Sequence, residues 1–348
     1  MAKVVELKDI KELLDKSENP FFLFDEDCDG FCSYLLFKRY CKKGNGRVVK
    51  DSPKVGLKYA TIANRFNPDL VIVLDKPLVL QEFVDNCKSK VVWVDHHPIV
   101  DIENVKYFNP KFKNPNEQSA TTYWSYKCIS GDKWLAAIGC VADYFIPDFI
   151  EDVKKEYPDL FNDYKTIEDL IYSSKFGKII RILSFLLKLR TKEFMDCAII
   201  LEQVKDPYQI LNFEGRFEVL RGIFEKINDK YENLLKKALI NMKKENGFLW
   251  FIYPTEAISF TSELAQFLKY STGSGVVLVG RDTGDDIKGS LRSIKINLQP
   301  IVKKALEDLS EGSYGGGHKN ACGFNVKKYD WDKFFKVIKE EVKKCKEV

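Results

Sequence analysis

Asp95, His96 and His97 follow one another at the end of the apolar run Lys90-Val91-Val92-Trp93-Val94. The chain has three histidines, His96, His97 and His318. Two stand side by side at a strand end and the third ends a glycine-rich stretch, which points to chemistry rather than packing. Upstream, Pro20–Phe24 runs straight into Asp25, Asp27 and Asp29, then Gly30. Carboxylates at alternate positions repel one another. The partly positive start of a following helix offsets part of that repulsion, and a divalent cation would offset more. Asp75 closes a third apolar run, 69–74. Asp143 lies in the apolar stretch 132–145, where an aspartate without a partner is expensive.

Asp27, Asp29, Asp75, His96 and Asp143 form a mixed oxygen and imidazole set. It suits Mn²⁺ or Mg²⁺ and could take Zn²⁺. Five or six protein ligands exceed one ion's usual share, so two ions are expected. Paired divalent ions act on phosphoesters, generating a nucleophile near neutral pH and stabilising the attacking and leaving oxygens. Arg292, in bidentate fashion, and His318 would bind phosphate oxygens. Gly315, Gly316 and Gly317 would let the backbone approach a ligand closely and point amides at an anion.

These residues need a scaffold. An amphipathic helix is expected over 5–16, strands over 20–24, 69–74 and 90–94, and helices over 31–42 and 80–87. Strand, Asp, helix, strand, Asp is a βαβ series that builds a parallel sheet with its acids along one edge. Helices follow over 119–129 and 132–145, and a polar helical excursion over 151–172. Long helices are expected over 176–204 and 217–246, with Gly247 as a C-terminal stop. A basic face at Lys230, Lys236, Lys237, Lys243 and Lys244 could touch a polyanion. The last third reads as strands at 248–253, 275–280, 285–296 and 321–326, with helices at 257–270, 299–309 and from Trp331 onward. The expected class is α/β: two α/β domains, the first with a parallel sheet carrying metal ligands at strand C-termini, joined by a helical connector. The segments are 1–175, 176–246 and 247–348.

Composition narrows the function class. Charged residues make up 30% and no apolar run is long enough to cross a membrane. Nine scattered cysteines without a paired framework suggest reduced thiols in a cytoplasm, with Cys28 and Cys32 as packing residues. Residues 241–348 hold 18 Lys and Arg against 14 Asp and Glu, which accounts for the net charge of +4 and is compatible with a polyanionic substrate.

The ordered set Asp25-x-Asp27-x-Asp29-Gly30, Asp75, Asp95-His96-His97 and Asp143 resembles the four motifs of the DHH phosphoesterase superfamily. Gly289-Ser290-Leu291-Arg292-Ser293 and Gly315-Gly316-Gly317-His318 resemble its DHH-associated substrate domain. The Asp-x-Asp-x-Asp-Gly form is similar to the RecJ-like branch of 5′→3′ single-strand exonucleases and its archaeal relatives. The small-molecule branches usually carry a histidine where this chain has Leu23, and several archaeal relatives carry one at Asp25. The resemblance implies one metal on Asp27 and Asp75, with help from Asp25, and another on Asp29, Asp75, His96 and Asp143. Asp75 would bridge, and the attacking water would be activated between the ions. It also implies that Asp95 orients a motif histidine and that His97 contacts the scissile phosphate. Ser290, Arg292, Gly315, Gly316, Gly317 and His318 would hold substrate phosphate across a cleft between domains.

The chain is therefore expected to be a metal-dependent phosphodiesterase, a RecJ-like 5′→3′ exonuclease on single-stranded DNA or RNA. The alternatives are a short-oligonucleotide or pAp phosphatase, a cyclic dinucleotide phosphodiesterase, or a non-catalytic replication scaffold. The chain is expected to lack the OB-fold module of bacterial RecJ, which would favour short oligonucleotides. No cluster of exposed aromatics for base stacking is identifiable, and Trp124, Trp134 and Trp250 read as core. Partners would be single-stranded nucleic acid and, from the family, GINS-type replication proteins.

Overall fold

The computed structural model describes residues 2–51, 53–256 and 258–345. The chain divides into two compact units, Met1–Ile227 and Asn228–Val348.

The strands of the first unit are β1 (Lys3–Val4), β2 (Pro20–Asp25), β3 (Asn45–Val49), β4 (Lys54–Val55), β5 (Leu70–Leu74), β6 (Leu78–Val79), β7 (Lys90–Val94) and β8 (Lys106–Phe108). Six form one sheet in the order β1-β8-β7-β5-β2-β3, with every pairing parallel. β4 and β6 pair separately. The central strands are apolar throughout because both faces are covered. Phe21, Leu23, Val71, Val73, Val91 and Trp93 pack on one side with Tyr59, Ala60 and Phe83. On the other, Phe22 and Phe24 meet the aromatic rings of helix Cys28–Cys41, Phe24 stacking on Tyr34 at 4.5 Å.

The connections place the site. From β2 the chain moves to β3 on one side, whereas from β5 it moves to β7 on the other. The switch point therefore lies between β2 and β5, and open α/β sheets bind ligands beyond the strand C-termini at such a point. Asp25 ends β2 and Asp75 follows β5.

The second unit carries β9 (Lys243–Glu245), β10 (Phe248–Pro254), β11 (Val276–Asp282), β12 (Asp286–Ser293), β13 (Tyr314–His318) and β14 (Ala321–Lys327). They form a mixed sheet, β13-β14-β12-β11-β10-β9, in which only β10 and β11 run parallel. One face buries Leu278, Leu291, Cys322 and Phe324 against helices Leu298–Leu306 and Trp331–Lys344.

Some expectations change. Helix 31–42 starts earlier, at Cys28, so Asp29 lies in its first turn and not at a strand end. Asp27 caps that helix, accepting from the Gly30 amide at 2.9 Å. Asp143 is not deep in a helix: the helix ends at Ala142, and Asp143 is its half-exposed C-cap. The 176–204 helix breaks into Lys175–Leu187 and Thr191–Leu201. The helix expected to reach Asn246 ends at Asn241, and Lys243 and Lys244 belong to β9. Gly247 is therefore no helix stop. With Asn246 it makes the two-residue β9–β10 turn, both at positive φ (47° and 70°), the Asn-Gly hairpin signature. The glycine-rich stretch that ends at His318 is the edge strand β13. Residue 257, the expected start of a helix, lies outside the described residues; that helix is Thr261–Thr272.

Gly30 is fixed by close approach. A Cβ there would stand 2.6 Å from the Asp25 nitrogen and 2.9 Å from its oxygen. Gly30→Ala should lower stability by about 1–3 kcal/mol, the range for forcing atoms into a packed interior. Urea unfolding of the two proteins checks this, and an unchanged midpoint would mean that the turn can open without loss.

Candidate metal centre and phosphate platform

Asp29 is buried, and its carboxylate accepts from the backbone amides of Thr121 at 2.8 Å and Thr122 at 2.7 Å. These amides open helix Thr121–Ile129, whose N-cap, Ala120, provides no side-chain acceptor. The Asp29 carboxylate takes over that capping role, where backbone donors and the helix dipole favour an anion. The Thr121 hydroxyl donates to Asp75 Oδ1 at 2.8 Å. Asp75 is buried and stands at φ +60°, a left-handed conformation that aspartate tolerates better than most residues. Its amide still donates to the Val94 carbonyl, tying the end of β5 to β7.

The His96 imidazole projects among these acids. Its Nε2 lies 3.5 Å from Asp75 Oδ1, 3.7 Å from Asp143 Oδ2 and 3.9 Å from Asp29 Oδ2. Ligands sharing one ion at about 2.1 Å stand roughly 3.0–3.4 Å apart, so a small contraction would close this set around a cation. Potential ligand atoms of Asp29, His96 and Asp143 lie within 4.8 Å of one another, and so do those of Asp25, Asp27 and Asp75. Burial pushes the Asp75 carboxyl well above the usual carboxylate range, and the charges of Asp29, Asp27, Asp25 and Asp143 push the same way. Burial raises Asp29 too, against the opposing Thr121 and Thr122 donors. Crowded, desolvated acids are stable as anions only with a compensating cation. Hard oxygens with one imidazole fit Mn²⁺ or Mg²⁺.

His97 is held differently. Asp95 Oδ1 lies 2.8 Å from His97 Nδ1, and Asp95 Oδ2 accepts the His97 amide at 2.9 Å. Asn109 donates to the His97 carbonyl at 2.9 Å, and in the strands that carry this loop the Trp93 and Tyr107 rings stack on each other at 4.0 Å. Burial disfavours the His97 cation, but the Asp95 carboxylate, joined by the charges of Asp27 and Asp25, holds the ring above its ordinary value. Asp95 thus serves His97, while His96 faces the acids.

In the second unit, Ser290 and Arg292 share one face of β12, opposite the core residue Leu291. Arg292 Nη2 donates to Ser262 and Nη1 to the Leu291 carbonyl, and Ser290 reaches Thr261 at 3.4 Å. Across the ladder, Arg292 pairs with Ala321 and Ala321 with His318; Ser290 pairs with Gly323 and Gly323 with Gly316. Cross-strand partners share a face. Arg292 and His318 therefore border a strip whose intervening residues are Ala and Gly, two strand spacings (about 10 Å) wide. The three glycines are not equivalent. A Cβ on Gly315 would meet Gly323 O at 2.8 Å and Val302 at 3.1 Å; one on Gly316 meets nothing within 4 Å. Gly316 is the open one. Tyr314, 66% exposed, starts the same strand.

The sequence-predicted acids and His96 come together as one group, and Ser290, Arg292, Gly316 and His318 as another within the second unit. Sequence reasoning missed Lys76, Thr121, Thr122, Asn109 and Lys111, whose ammonium donates to the His96 carbonyl. It also missed Tyr314 and the helix-starting hydroxyls of Thr261 and Ser262. Trp134 is core as expected, but Trp124 and Trp250 are half-buried.

Residues 21–155 match the family model for the DHH family, N-terminal domain, and residues 260–344 match the DHHA1 domain. No curated protein matches the sequence. The fold is similar to that of RecJ from Thermus thermophilus, solved with Mn²⁺, at 15% identity and TM-score 0.68; the match covers 97% of this chain and 55% of that one. A pGpG-specific phosphodiesterase from Vibrio matches at 14% identity and TM-score 0.52, over 93% of this chain and 98% of that one. CDC45 from Entamoeba histolytica matches at 10% identity and TM-score 0.53, over 96% and 99%. At these identities the likeness is one of fold, and the chain spans about half the length of the Thermus protein. With both domain models matched in order, and with the acids and His96 of the first gathered beyond one sheet edge, the chain belongs to the DHH family of phosphoesterases.

Proposed function

We propose that the chain is a metal-dependent phosphodiesterase, RecJ-like in cutting single-stranded DNA or RNA from the 5′ end. The observation that carries the reading is His96 Nε2, placed within 3.5–3.9 Å of three carboxylates at the switch point of a parallel sheet. Asp29, Asp75, His96 and Asp143 would hold one divalent ion, and Asp27 and Asp75, beside Asp25, a second, with Mn²⁺ or Mg²⁺ as the metal. When bound, such ions neutralise charge on phosphoryl oxygens and acidify water.

The remaining steps belong to the chain's own residues. The Thr121 hydroxyl and the turn at φ +60° aim the Asp75 carboxylate into the cluster. Asp95 holds the His97 ring through Nδ1, which supports contact of Nε2 with the scissile phosphate. Arg292, Ser290, His318 and the open backbone at Gly316 bind a substrate phosphate, and the exposed Tyr314 ring offers a surface for base stacking. The implied partners are single-stranded nucleic acid or short oligonucleotides and, through the family resemblance, GINS-type replication proteins. All nine cysteines are unbridged, which supports a reducing cytoplasm. No helix among the described residues is long and apolar enough to cross a membrane.

The deciding experiment is hydrolysis with Mn²⁺ of a labelled panel: long single-stranded DNA, the same in RNA, a trinucleotide, pAp and cyclic di-AMP, with EDTA as control. Release of 5′ mononucleotides from the long strands is expected. Preference for the trinucleotide or the small molecules would assign a short substrate instead. No metal-dependent turnover by folded protein would leave a scaffold role.

Asp75→Ala should lower kcat by at least about 10³-fold, since it removes the carboxylate shared by both ion positions. Near-wild-type turnover would refute the ligand assignment. Arg292→Ala should raise KM roughly tenfold or more with little change in kcat, as expected when a charged phosphate contact is lost. Gly316→Val should likewise raise KM while leaving thermal stability within about 0.5 kcal/mol, because its side chain enters open space. Gly315→Val should instead unfold at lower temperature.

A further inference from the structure

Lys76 is fully buried beside the acidic cluster and has no part in the ligand set above. Its Nζ stands 2.6 Å from Asp25 Oδ1 and 3.1 Å from the Asp51 carbonyl. The Trp93 indole donates to its carbonyl at 3.0 Å, which anchors the backbone. In a regular strand, Asp75 and Lys76 would point to opposite faces. The positive φ at Asp75 breaks that alternation, and both side chains end up buried at the same edge. A buried ammonium needs a counter-charge, and removing its partner would be strongly destabilising.

The two candidate ion positions are therefore unlike. The carboxylate oxygens of the Asp29, His96 and Asp143 position, with Asp75 at 3.5 Å from His96, take neutral donors, the Thr121 and Thr122 amides and the Thr121 hydroxyl; the nearby Lys111 ammonium rests on the His96 carbonyl and not on a carboxylate. In the Asp25, Asp27 and Asp75 position, one acid already carries a fixed cation. Asp25 Oδ1 also accepts the Glu26 amide at 2.9 Å, so that oxygen is doubly engaged. A fixed positive charge repels an incoming divalent ion and lowers the donor power of the oxygen it holds.

We propose that Lys76 is a built-in cation of this centre: it takes Asp25 as its own counter-ion and makes the two ion positions unequal. One divalent ion is held tightly by Asp29, Asp75, His96 and Asp143. A second, at Asp27 and Asp75, is held at least about tenfold more weakly. Lys76 acts as a positioning residue. The inference rests on the metal-dependent reading above, and its test separates the two.

The full chain, stripped with chelator, is titrated with Mn²⁺ while free Mn²⁺ is followed by electron paramagnetic resonance. The wild type should show one tight step and a second step at least about tenfold weaker. Lys76→Met removes the charge and keeps an unbranched apolar stem; the second step should tighten by about tenfold or more, with the first unchanged. Two steps of equal affinity in the wild type, or a Lys76→Met titration identical to it, would overturn the proposal. If Lys76→Met does not fold, Lys76→Gln decides: its amide is uncharged but can still donate toward Asp25 and the Asp51 carbonyl, so the second step should again tighten by about tenfold or more, and a titration identical to the wild type would overturn the proposal. A wild type that takes up no Mn²⁺ at millimolar concentration would overturn the metal reading itself.

Discussion

A carboxylate withdrawn from water must find donors, and the burial of Asp29 is the constraint on which the first unit depends. Its two oxygens take the first amides of helix Thr121–Ile129. The Thr122 hydroxyl returns a bond to the Asp29 carbonyl at 2.7 Å. These contacts join residues more than ninety positions apart in sequence. They set where the Thr121–Ile129 helix begins, and through the Thr121 hydroxyl they set the orientation of Asp75. A side chain that neutralises a helix terminus is also held rigid, because its rotamer is fixed by backbone groups that cannot turn away.

The second constraint is topological. Chain reversal between β2 and β5 opens a crevice where no crossover helix covers the strand ends. Asp25, Asp27 and Asp75 reach this place from two loops that leave in opposite directions, and Asp95-His96-His97 arrives from the neighbouring β7. The strain at Asp75, of the order of 1–3 kcal/mol for a non-glycine residue in a sparsely populated region, is stored where two adjacent side chains must face the same edge. The surrounding β5–β7 hydrogen bonds and the stacked Trp93 and Tyr107 rings hold that conformation in place.

The two adjacent histidines show how one motif divides labour. The same short loop sends His96 toward three acids and gives His97 to Asp95. The difference comes from Asp95, which accepts both the His97 amide and its ring nitrogen and so folds the loop on itself. In the second unit, the register from β12 to β13 makes a comparable distinction among identical residues. It turns Gly316 outward beside the Arg292 and His318 row and Gly315 inward onto Val302.

Much of this was legible in the sequence. Apolar runs ending in Asp25, Asp75 and Asp95 could only be buried parallel strands with their acids at one edge, because strands covered on both faces cannot end in charge except where the sheet opens. The α/β class, the histidine pair and the Ser290–Arg292 strand followed from local pattern. Local pattern failed where the deciding partner was remote. Nothing near Asp143 marks the end of its helix, and the Asn246-Gly247 hairpin was hidden by a helical periodicity that runs up to it. Lys76 looks like any lysine after a strand, since only a left-handed turn at Asp75 and a carboxylate fifty-one positions earlier make it a buried ion pair. The sequence by itself determined which residues could do the chemistry, because residue type and strand pattern are local properties. The tertiary structure alone decided which of them lie close enough to hold an ion together, which serve one another and which cation already stands among them, because electrostatic partnership depends on distances that only the folded chain defines.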